Sequence, residues 1–161
     1  MAQSNMFVGL TQRKRYAIAF VAGFLAVLVF QQPVMHFVAA AAGVKVPTYS
    51  MTPAGPLGIP QVISSSIWGG LWGLAFMAAR NLLGVGARYW LASAIVGGAI
   101  LVAVFWFIAA PLKGLPVAGG WQPARMLVGF LVNAAWGIGW AILAVAIARM
   151  MGARAGTASM V

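Results

Sequence analysis

Acidic side chains are missing from this chain: its 161 residues include no Asp, no Glu and no Cys, and a single His. Each absence removes a body of chemistry. Without carboxylates there is no acid pair for glycoside hydrolysis, no Asp-held Mg²⁺ and no Ser-His-Asp triad. Without thiols there is no disulfide, no Cys nucleophile and no thiolate metal site. Charge is scarce as well, at 6% of residues and all of it Lys or Arg, where a soluble domain carries roughly 25%.

What fills the chain instead is apolar: 63% of residues are hydrophobic, and the mean hydropathy is +0.98. So few charges cannot solvate the surface of a soluble protein of this size. The composition is that of an integral membrane protein, read as one all-α, polytopic membrane domain over 1–161.

A spanning helix takes about 20 mainly apolar residues. Four segments meet or approach that length, at 16–38, 62–79, 89–112 and 126–148. None alternates with the period of two that a lipid-facing barrel strand needs, so a four-transmembrane-helix bundle is expected. The third and fourth segments contain no charge, whereas the second is short and opens near Ser64, Ser65 and Ser66. In the first, the uninterrupted apolar run from Tyr16 to Phe30 gives only roughly 22 Å of helix. To cross a hydrocarbon core of about 30 Å it must carry Gln31, Gln32 and Pro33 and continue past His36. Pro33 removes one backbone donor, and a kink is expected there. Arg13-Lys14-Arg15, the apolar run and the alanines at 39–42 also fit a secretory signal peptide. Those alanines lie about ten residues beyond the run, too far for cleavage, so the segment is read as a retained span.

Basic residues orient the chain. With the N-terminus inside, Arg13, Lys14, Arg15, Arg80, Arg88, Arg149 and Arg154 are cytoplasmic, against Lys45, Lys113 and Arg125 outside. This positive-inside bias puts both termini in the cytoplasm and favours a bacterial inner membrane. Gly84 and Gly86 suit a tight inner turn over 81–86. The outer loop at 43–61 holds Pro47, Pro53, Pro56 and Pro60, a pattern for an ordered extended loop or a shallow re-entrant segment, not helix. A second outer loop, rich in Gly and Pro, runs from Pro111 to Pro123.

The two hairpins resemble one another. Arg15-Tyr16 and Arg88-Tyr89 open the first and third spans. Trp68-Gly69-Gly70-Leu71-Trp72 in the second is matched by Trp136-Gly137-Ile138-Gly139-Trp140 in the fourth. The preserved order suggests a tandem duplication of a two-helix hairpin, with its axis along the membrane normal.

Small residues form stripes at helical spacing: Gly69 with Gly73; Gly129, Asn133 and Gly137; Ala19 with Gly23; Ala94 with Gly98. In lipid such stripes let backbones approach and gain dispersion energy. Two uses are open, packing inside the bundle and docking of a partner or a second copy, and the internal use comes first. Polar or aromatic candidates for a ligand contact are Gln32 and His36, four apart on one face, and Asn133 and Trp140 in the fourth span. Each also has a plain structural explanation, as glue between helices or as a group at the headgroup level, and no cofactor or metal is expected. Trp68, Trp90 and Trp121 fall near span ends, where indoles form the aromatic belt; Trp72, Trp106, Trp136 and Trp140 lie deeper. Arg13, Lys14, Arg15, Arg80, Arg88 and Arg149 are placed to contact anionic phospholipids at the inner surface. No soluble basic domain exists to bind nucleic acid, despite the formal charge of +10.

An enzyme would have to work with Ser, Lys, Tyr or the single His, for instance Tyr49 and Ser50 near His36, and no spacing sets a nucleophile beside a base. The expectation is a non-catalytic membrane protein, an accessory or self-associating subunit held through small-residue helix faces. The alternative is a small oligomeric channel or transporter for a neutral solute or anion.

Overall fold

The computed structural model describes residues 7–84 and 86–152; Arg154, one of the expected inner cations, lies outside them. Helix α1 runs over Gln12–Ala41. It begins earlier than the apolar run because Thr11 caps it, its side chain accepting from the Lys14 amide at 3.4 Å. It ends at Gly43, whose φ of 66° lets the Val44 amide turn back onto the Ala39 carbonyl at 2.8 Å.

The proline does not break this helix. One π-helical turn at Val27–Gln31 precedes it, and the Gln32 amide donates to the Val27 carbonyl. Pro33 then sits at the start of the next α-helical stretch, where the helix continues to Ala41. The wider turn absorbs the missing donor, so the expected extension of the span past His36 is observed.

Loop 43–60 carries a minimal hairpin, strands β1 (Pro53–Ala54) and β2 (Ile59–Pro60), paired antiparallel. Helix α2 (Gln61–Ala78) follows, with 18 residues. A short helical turn, α3 (Arg80–Leu83), occupies part of the segment read as a plain turn; Gly84 and Gly86 after it have φ of 77° and 59°, as their positions require. Helix α4 spans Ala87–Leu112 and contains π-helical turns at Gly97–Leu101 and Phe105–Ala109. Helix α5 is Pro123–Met150, with proline in its first turn, where no donor is needed. Three of these helices, α1, α4 and α5, are long and apolar enough to cross a membrane.

Contacts between the helices run antiparallel. A Cβ on Gly23 would meet the Gly69 carbonyl, and one on Gly73 would meet the Ala19 carbonyl, so α1 and α2 touch backbone to backbone. On the other pair, Gly137 lies against the Ser93 carbonyl, and a Cβ on Gly97 would come within 2.8 Å of the Asn133 carbonyl. Helix α5 also crosses α1, where the indole nitrogens of Trp136 and Trp140 donate to the Gly23 and Ala19 carbonyls at 3.0 and 3.1 Å. Phe76 packs edge-on to both indoles, with centroids 5.1 and 5.2 Å away. Both tryptophans are fully buried. Buried Ser66 and Ser93 satisfy their hydroxyls within their own helices, on Val62 and Tyr89 carbonyls at 2.8 Å. The matched tryptophan motifs are used differently: Trp136 and Trp140 form the core, whereas Trp68 is 62% exposed.

Candidate functional site

Helices α2 and α4 do not pack closely on one another; each leans on its own partner, α1 for α2 and α5 for α4. At the end of the bundle that carries loop 43–60, the space between them is a cavity of about 850 Å³. Its walls run from Val27 to Met35 on α1, Gln61 to Trp72 on α2, Leu101 to Leu112 on α4 and Arg125 to Trp136 on α5. The twelve residues from Arg125 to Trp136 on α5 correspond to a depth of about 16 Å. A volume of this order is typical of small-molecule sites.

The lining changes character with depth. At the bottom lie Val27, Trp72, Leu101 and Trp136, below which Phe76 and Trp140 fill the core. Amides occupy the middle. The Gln31 amide nitrogen donates to Asn133 Oδ1 at 3.4 Å, and Asn133 Nδ2 donates to the Gly129 carbonyl at 2.8 Å. Gln32, only 6% exposed, accepts the Tyr49 backbone N–H on its Oε1 at 2.7 Å. That bond fixes the orientation of the amide and directs Nε2, a donor, elsewhere; among the described residues Nε2 has no hydrogen-bond partner. Lys45, Lys113 and Arg125 line the mouth, and all three are exposed.

The loop is fastened over this end. Tyr49 has a left-handed backbone, with φ of 49°, a conformation that costs a non-glycine residue about 1 kcal/mol. Its N–H holds Gln32, while its hydroxyl donates to the Leu28 carbonyl at 2.7 Å. The π-helical turn explains why that carbonyl is free: the pattern in which Gln32 bonds Val27 would next require an N–H from Pro33, which has none. Ser50 extends the attachment by accepting the Val62 amide on its carbonyl at 3.0 Å.

The residues singled out by sequence divide accordingly. Gln32 and Asn133 both line the cavity. His36 does not; it stands edge-on to Phe37 and lines a separate groove of about 460 Å³ with Lys45 and Pro47. Trp140 is in the core, bonded to Ala19. Gly69, Gly73 and Gly137 lie against helices of the same chain, and Gly129 faces Val102 and Trp106. These glycines thus meet helices of the same chain, the internal of the two uses expected for the stripes. The antiparallel packing gathers Arg13, Lys14, Arg15, Arg80, Arg88 and Arg149 at the end opposite the cavity, where Arg15 Nε donates to the Leu10 carbonyl and Arg80 to the Met77 carbonyl.

Sequence reading missed the convergence of Lys45, Lys113 and Arg125, which it counted only as minority charges. A signal was present: each sits within two residues of a loop glycine or the α5 proline, and the chain has no carboxylate side chain to pair with any of them. Tyr49 gave no such signal, since its role depends on a helix deformation fifteen and more residues away.

The lining offers amide donors and acceptors, hydroxyls at Ser50 and Ser65, cations and apolar surface, with no His among them. Among the described residues no three His, Cys, Asp or Glu side chains converge on a metal position. No protein family, curated protein or solved structure matches the chain.

Proposed function

We propose that this chain is a non-catalytic, four-span protein of a bacterial inner membrane, both termini cytoplasmic, that receives a small amphipathic molecule in the cavity between α2 and α4. The observation that carries this reading is the cavity itself, walled by all four long helices and graded from apolar to polar to cationic. In this arrangement α2, although only 18 residues long, is the fourth span. Its serine-rich start then lies toward the outer interface. The basic end of the bundle meets the anionic inner leaflet, each cation contributing about 1 kcal/mol of attraction. The two hairpins are read as copies, supported by backbone-to-backbone packing in both, at Gly69 and Gly73 in the first and at Gly97 and Gly137 in the second.

The test is purification from native membranes in mild detergent, with mass analysis of the intact particle and an absorption spectrum. A stoichiometric non-protein mass, lost when Val104→Phe narrows the cavity, supports the reading. A particle whose mass is the same with and without that substitution, and equal to protein and detergent alone, counts against it.

A second reading, an accessory subunit of a larger assembly, draws on the outward side of α4. Leu91, Ile95, Ile100 and Phe107 there are exposed. On this reading the partner docks against α4 and not against a glycine stripe, and a second protein in the purified particle supports it.

A further inference from the structure

We infer that the ligand of the cavity is an anionic single-chain lipid, with its charged headgroup held by Lys45, Lys113 and Arg125 at the mouth and its chain directed toward Trp72 and Trp136. The inference rests on the ligand-binding reading above and names the chemical class.

Charge complementarity comes first. Three cations line one opening, and the chain contains no Asp or Glu that could neutralise them. Like charges drawn to one mouth repel, and a negative group supplied from outside relieves that repulsion. A neutral ligand, such as a quinone or a sterol, would leave the rim uncompensated.

The amide layer is the second observation. Gln32 is 94% buried and lines the cavity, with Nε2 directed away from its bond to Tyr49. Nε2 makes no hydrogen bond among the described residues and is not sealed off, so it is a donor that an incoming acceptor can reach. An ester carbonyl or a glycerol hydroxyl just below a phosphate supplies one at the right level, beneath the cations and above the apolar floor. Dimensions are the third: a depth of about 16 Å is half of the roughly 30 Å hydrocarbon core, the reach of one leaflet's acyl chain. The volume of about 850 Å³ is of the size that holds one small ligand.

The test uses the full chain in mild detergent and two lysolipids with the same brominated acyl chain, an anionic lysophosphatidylglycerol and a zwitterionic lysophosphatidylcholine. Bromine deep in the cavity quenches Trp72, Trp106 and Trp136. The anionic lipid is expected to quench saturably at one site per chain, at least about tenfold more tightly than the zwitterionic one. Combined Lys45→Gln, Lys113→Gln and Arg125→Gln substitution, at exposed positions, is expected to erase that preference while leaving the thermal transition in place. Equal affinity of the two lipids in the wild-type chain overturns the anionic assignment and leaves the cavity reading standing. Absence of any saturable quenching overturns both. Displacement of the bound lipid by inorganic phosphate alone would assign the site to a soluble anion and overturn the lipid.

Discussion

The hydroxyl of Tyr49 donates to the carbonyl of Leu28 at 2.7 Å, joining a loop residue to the one turn of α1 that departs from α-helical bonding. π-Helical turns within α-helices often accompany functional sites. Here the turn lies against the cavity, as do parts of both π-helical turns of α4. A deformed helix and an anchored loop therefore shape the same opening.

Tyr49→Phe keeps the ring and removes the hydroxyl. The expected loss is about 1 kcal/mol of loop attachment, since the Leu28 carbonyl then lacks its partner. Amide hydrogen exchange should show faster exchange over 44–52, with α5 unchanged. Equal protection in both proteins would mean that the bond contributes nothing to holding the loop.

Gly73→Leu and Gly137→Leu each drive a side chain into a facing backbone, at Ala19 and Ser93 respectively. Overpacking against an immobile carbonyl should destabilise the chain by about 3 kcal/mol. A lower thermal midpoint in detergent with an unchanged particle mass is expected. A change of oligomer size with the midpoint preserved would instead show that these glycines face a second copy.

Trp136→Phe removes the donor to Gly23 and part of the ring volume between Phe76 and α1. The lost hydrogen bond contributes about 0.6 kcal/mol on average in membranes, and the cavity left behind adds to this, for a total of about 1–3 kcal/mol. Denaturant titration against the wild type reads the difference.

Tyr89→Phe works in the opposite direction. The Tyr89 hydroxyl is buried with no hydrogen-bond partner among the described residues, so its removal eliminates an unsatisfied polar group while keeping the ring. Stability should hold or rise by about 1 kcal/mol. A clear loss of stability in the same titration would reveal a partner for the hydroxyl.

Gln31 and Asn133 meet at 3.4 Å, a long contact. A double-substitution cycle with leucine at both positions is expected to give a coupling of no more than about 0.6 kcal/mol. A much larger coupling would make this pair a principal tie between α1 and α5.

The helices were legible because they depend on local composition. The apolar stretches of α4 and α5, and the glycines at 84 and 86, state their conformations through hydrophobicity and steric freedom alone. The course of α1 was legible up to Pro33; there a π-helical turn accommodates the missing donor, and the Leu28 carbonyl it frees is taken by the Tyr49 hydroxyl, a partner that sequence separation hides. Trp136 and Trp140 were recognised as deep indoles that need acceptors, but not that backbone carbonyls of α1 would serve. The candidate site was half visible. Gln32 and Asn133 stood out as polar groups in apolar helices, whereas the cationic mouth forms only when two loops and the start of α5 are folded to one end.

Phe76, edge-on to Trp136 and Trp140, closes the base of the cavity. With the indoles tied to α1 and the ring of Phe76 against both, the cavity does not continue along the bundle toward the basic end, and a path from one end to the other would require this aromatic plug to be dismantled.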